Sequence, residues 1–126
     1  MLSGQLEKAL EYFTRSMRLS PIDPSRYITY MTVAYCHFFM GKNDEAITWA
    51  DKALALQPVY RLSFLVKIAA TVCAGHVRKT QGIVERYRGL DPSVSISSIV
   101  RILPAMKKKS QRDYLLAALR KAGFPE

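Results

Sequence analysis

The chain is short of most of what chemistry requires. It has two cysteines, two histidines and one tryptophan in 126 residues. Two cysteines make no disulfide framework, and Cys36 and Cys73 both fall within apolar helical stretches, where a free thiol behaves as a small buried hydrophobe. His37 sits among apolar residues and His76 at a turn, neither with a second ligand at metal or triad spacing, so each reads as a structural histidine. HExxH, CxxC and glycine-rich phosphate loops are missing. Together these absences predict no enzyme, no metal and no cofactor. No apolar run reaches the ~18–20 residues that span a bilayer; the longest candidate, Leu62 to Ala74, is interrupted by Lys67. The N-terminal stretch has no basic region followed by an apolar core, and Glu7 and Glu11 argue against a transit peptide, which makes the cytoplasm the expected compartment.

Acidic residues are also scarce, and unevenly so. Residues 1–60 hold six basic and six acidic side chains; residues 61–126 hold thirteen and four, which is the whole net charge of +9. The excess gathers at Arg101, Lys107, Lys108, Lys109 and Arg112, followed by Arg120 and Lys121. Such a cluster is ordinarily a solvated loop and helix face. Its functional reading is a docking patch for an acidic protein segment or a polyanion. Nucleic acid could be held on charge alone, but no recognition-helix pattern, zinc-ligand set or aromatic stacking strip accompanies the lysines, which argues against it.

What the chain does have is a repeat. GQLEKALEYFTRSMRLSP (4–21) returns as GKNDEAITWADKALALQP (41–58) and, weakened, as GHVRKTQGIVERYRGLDP (75–92), with starts 37 and then 34 residues apart. A turn glycine, an amphipathic helix and a closing proline at that period spell a helix–turn–helix solenoid. In the first copy Leu6, Ala9, Leu10, Phe13 and Met17 make one apolar face, predicting a helix over 5–19. Asp23 and Pro24 open a helix that Gly41 ends. Asn43 caps a helix to about 56, packed through Ala46, Ile47, Ala50, Ala53 and Leu54. Further helices are expected at 60–74 and 78–89, the latter carrying Gly82 at a cost of ~1 kcal/mol against Ala. Two short helices follow: 95–103 with Ser95 as cap, and 111–122, where Ser110 and Asp113 have capping-box spacing. No segment alternates with a period of two, so the chain is predicted all-α.

The repeat resembles the tetratricopeptide repeat, 34 residues of two antiparallel helices, A and B. The second copy carries the resemblance best, with Tyr30 and Ala34 in helix A, Gly41 at the turn, and Ala46, Ala53, Leu54 and Pro58 in and after helix B. The resemblance implies a right-handed antiparallel α-α superhelix over one domain, 1–126. Its parts are a half repeat at 4–21, a repeat at 24–58, a degenerate repeat at 59–92 and C-terminal capping helices at 95–122. The terminal LRKAGFPE is similar to the end of bacterial proteins that place such repeats behind a class III nucleotide cyclase or a winged-helix regulator domain, which would make this a regulatory or assembly module.

In that family the A helices line a groove that grips peptides. The matching positions are Ile28, Met31, Tyr35, Phe38 and Phe39 on one helix, and Leu62 and Leu65, with Ala69, Val72 and Cys73, on the next. These are apolar and lack the basic clamp that some members use on a peptide carboxylate. Residues 27–40 have little polar face, and a helix apolar all round is normally buried. The groove could be filled by the chain's own C-terminal helices, covered by a second copy or by missing N-terminal repeats, or left open for an amphipathic partner helix. A bare stripe on helix 5–19 would invite self-association, so a homo-oligomer is expected. The expected function is therefore a protein-interaction scaffold, with polyanion binding as the alternative.

Overall fold

Three glycines set the geometry of the chain. Gly41, Gly75 and Gly123 have φ of 80°, 87° and 109°, the left-handed region that costs other residues a clash at Cβ. Each ends a helix in the same way. Gly41 N–H donates to Phe38 O while Lys42 N–H reaches back to His37 O; Gly75 and His76 do the same to Val72 and Thr71, and Gly123 and Phe124 to Arg120 and Leu119. This is the Schellman arrangement, which satisfies the orphan carbonyls of a helix end and turns the chain back sharply.

The computed structural model describes residues 26–103 and 109–126, with Lys8, Glu11, Tyr12 and Arg15, all four of them helical. The helices predicted over 5–19 and the Asp23–Pro24 start otherwise lie outside the described residues. Within them run six helices: α1 (Arg26–Phe39), α2 (Asn43–Leu56), α3 (Arg61–Cys73), α4 (Val77–Leu90), α5 (Ile96–Ile102) and α6 (Lys109–Lys121). The architecture is an all-α, tetratricopeptide-like superhelix in which consecutive helices fold back on one another. Where the ends fall within the described residues, the predicted boundaries hold to within two residues. Two caps differ. Asn43 is the first helical residue of α2, with Lys42 at the cap position and no side-chain bond there. Helix α6 starts at Lys109, so Ser110 lies inside it and the expected capping box has no helix start to serve. Ser95 does cap α5: its hydroxyl accepts from Ser98 N–H at 3.1 Å and Ser98 Oγ accepts from Ser95 N–H at 2.8 Å.

Helix α3 is the centre of the molecule. It packs against α1, α2, α4 and α6, and Leu65, Val66, Ile68, Ala69 and Ala70 are fully buried. A helix with neighbours on nearly every side has no use for an amphipathic pattern, which is why 62–74 reads as an almost continuous apolar run. Between α1 and α2, Ala34, Ala46, Ala50 and Ala53 are all fully buried. Their small side chains bring the two axes close, the role the repeat pattern assigns them. Trp49 lies over Tyr30 at 5.6 Å and carries Lys52 Nζ on its ring at 4.3 Å.

Candidate functional site

The groove predicted on the A helices is built by α1 and α3. Its backbone register is pinned by Tyr35, whose hydroxyl donates to Leu62 O at 2.9 Å; burial pushes that phenol well above the usual tyrosine range. The sequence-predicted groove residues divide into two groups. Met31, Phe38 and Leu65 are buried, so they support the surface without forming it. Tyr35, Phe39 and Leu62 are half-buried, and Ile28 is 42% exposed.

What covers the groove at one end is α6. The Tyr114 ring lies 5.0 Å from that of Phe38 and 6.3 Å from that of Phe39, and its hydroxyl faces the Cys73 thiol. Helix α6 therefore starts beside the ends of α1 and α3. It finishes at the other end of α3: Phe124 packs edge-on against Tyr87 at 5.6 Å, and Tyr87 touches Phe64. So α6 runs antiparallel to α3 along its length, burying Leu115, Leu116, Ala118 and Leu119. Of the three occupants considered from sequence, the chain's own C-terminal helix is the one seated here. The turn after α6 is tied down in turn. Ile96 N–H donates to Pro125 O at 2.7 Å, Ser97 Oγ to Glu126 O at 2.9 Å, and Arg120 Nε lies 3.0 Å from both carboxylate oxygens of Glu126.

The groove stays open at the opposite end. There Tyr27, Val59, Tyr60, Leu62 and Ile102 surround a recess of about 490 Å³, with Gln57 and Arg61 at its edge. Val59 is 63% exposed, and Leu56 and Ile102 are exposed as well. Among the described residues no acidic side chain lines the recess, while Arg61 does and Arg101 is exposed one residue before Ile102. Sequence reasoning named Leu62 here but missed Tyr27, Val59, Tyr60 and Ile102. The available signal was a Val-Tyr pair directly after the turn Pro58, where water-facing residues are expected.

The basic cluster is only partly within view. Arg101 and Lys109 are exposed and Arg112 is half-buried; Lys107 and Lys108 lie outside the described residues. Among the described residues no three His, Cys, Asp or Glu side chains stand together as a metal site would require, and no helix is long and apolar enough to cross a membrane. Cys36 and Cys73 are free thiols. Burial pushes Cys36 up to about 11 and also raises Cys73, so neither is an activated nucleophile.

Paired antiparallel helices stacked one after another define the class of this fold, an α-helical repeat solenoid. Residues 27–60, which are α1, its glycine turn and α2, match the tetratricopeptide repeat family. The U-box domain-containing protein 70 of Oryza sativa subsp. japonica is 29% identical over 70 residues, 56% of this chain. The chain spans about 8% of that protein's length.

Proposed function

We propose that this chain is a non-catalytic protein-interaction scaffold that receives its partner at the open end of the A-helix groove. The observation that carries the reading is the recess between Tyr27, Val59, Leu62 and Ile102, apolar and with Val59 and Ile102 exposed, at the end of the groove away from the Tyr114 contact with Phe38 and Phe39. Exposed apolar surface rimmed by polar groups marks an interaction site. Its rim is basic, so the partner segment brings apolar anchors flanked by acidic residues. The short share of the rice protein that the chain covers supports its serving as a module within a larger assembly. Control of a bacterial cyclase or winged-helix regulator would be one such setting, supported by the LRKAGFPE ending alone. The basic cluster offers a polyanion reading, but the recess is the better-formed feature.

The test places a photo-crosslinking amino acid at position 59 and identifies the captured protein from a cell extract. Leu62→Glu and Ile102→Glu each put a charge into the recess and should reduce capture about tenfold, the effect of roughly 1.4 kcal/mol. Glu85→Ala, on an exposed face of α4, should leave it unchanged. Equal capture by all three variants would sink the recess as the partner site.

A further inference from the structure

On the face of α3 that carries Lys67 and Thr71, a second cavity of about 630 Å³ opens between α2 and α4. One wall is a stripe of α2 at positions i, i+3, i+4 and i+7: Asp44, Ile47, Thr48 and Asp51. The other is a stripe of α4 with the same spacing: Lys79, Gly82, Ile83 and Arg86. Both helices are antiparallel to α3, so the two stripes run in the same direction. Each has charges at its ends and apolar or small residues between, but one wall is acidic and the other basic. The floor holds Lys67, paired with Asp51 at 2.6 Å, and the buried Thr71.

The walls do not neutralise each other. Lys79 and Arg86 form no ion pair among the described residues, and neither does Asp44. The hydroxyls of Thr48 and Thr71 are both spent on their own helices, bonding Asp44 O and Lys67 O. Gly82 sits exposed in the middle of α4, and a Cβ there would meet nothing within 4 Å. Its φ is not the left-handed one that would demand glycine, so backbone geometry does not explain it. What it does is widen the trough beside Ile47 and Ile83.

The geometry points to a docking site for an amphipathic helix of a partner protein, acidic along one flank and basic along the other, laid into the α2–α4 trough. Charges seven residues apart on one helix face lie ~10 Å apart, two turns of the partner's own flank. A narrow apolar stripe on the partner would rest on Ile47, Ile83 and the space over Gly82. Its acidic flank would meet Lys79 and Arg86, and its basic flank Asp44 and the outer carboxylate oxygen of Asp51, whose other oxygen holds Lys67. A simple anion is a poorer match, because Lys67 is already engaged and the α2 wall would repel it. This trough lies on a different face from the Tyr27–Val59 recess, so the two sites stand or fall separately.

The probes are three fluorescent 18-residue Ala/Leu helices with the same apolar stripe, flanked by Glu on one side and Lys on the other, by Glu on both, or by Lys on both. Exchanging the flanks is no control, since a helix can enter the trough in either direction. The protein's net charge of +9 would by itself rank the all-Glu helix first. The trough ranks the mixed helix first, by about fivefold over either single-sign helix, from two rim pairs. Gly82→Leu, whose Cβ meets nothing within 4 Å, projects into the trough and should abolish mixed-helix binding while the melting temperature holds or rises. Arg86→Glu should make the all-Lys helix the best ligand. An all-Glu helix that binds best, three equal affinities, no binding at all, or mixed-helix binding that survives Gly82→Leu would each overturn the site.

Discussion

Two glycines of the same type have opposite energetic meaning. Gly75 is held at φ +87°, and Gly75→Ala should cost about 1–2 kcal/mol, lowering the melting temperature. Gly82 is an ordinary helical residue with open space around it, so Gly82→Ala should stabilise by about 0.5–1 kcal/mol. Thermal melts of the two variants should therefore move in opposite directions. Cys36 gives a pH signature. Its folded thiol titrates at about 11, above the ordinary value of 9.0. The folded state thus holds the proton more tightly than the unfolded chain. That stability is fully present below pH 9.0 and is lost as pH rises toward 11. Chemical denaturation between pH 8 and 11 should show a falling midpoint, and Cys36→Ala should flatten the part of that fall due to the thiol.

At the scale of elements, α6 is the piece that decides what kind of groove this is. It is held by Leu115 and Leu119, both fully buried, and by Phe124 beyond its glycine turn. Phe124 is 4% exposed and packs on Tyr87, so Phe124→Ala should cost about 3–5 kcal/mol. It should also loosen α6 from α3, read as faster hydrogen exchange in 109–121 than in α2. Uniform exchange changes along the chain would show instead that Phe124 supports the core generally. The sequence announced this element as an amphipathic helix with a glycine stop. It could not announce the seat, because an apolar pattern marks which residues are buried and not which helix buries them. Which one covers which depends on a chain reversal that no local pattern encodes.

For the molecule as a whole, the expectation of self-association rests on the sequence pattern alone, the apolar stripe Leu6, Ala9, Leu10, Phe13 and Met17, in a segment largely outside the described residues. Sedimentation at tens of micromolar should give a mass above 14.3 kDa. Leu10→Glu with Phe13→Glu should return it to the monomer value. A monomer in the unmodified chain would count against association. Little of the recess was legible in the sequence: of the groove positions named there, Leu62 lines it, while Ile28 is exposed without lining it. Met31, Phe38 and Leu65 share their apolar character but face inward, and character alone does not distinguish the two.

The sequence by itself determined the local elements. Helix-period apolar spacing predicts seven helices, six of which lie within the described residues, glycines at 41, 75 and 123 stop three of them because only glycine adopts their φ without strain, and alanines at 34, 46, 50 and 53 bring α1 against α2. Those are properties of single residues and their near neighbours. Only the tertiary structure decided that α6 packs on α3 and sets Tyr114 against Phe38, that Val59 and Ile102 line one recess across 43 residues of sequence, and that the acidic stripe of α2 faces the basic stripe of α4. Each depends on how helices stack, and stacking is fixed by the summed burial of many weak contacts, not by any one signal in the chain.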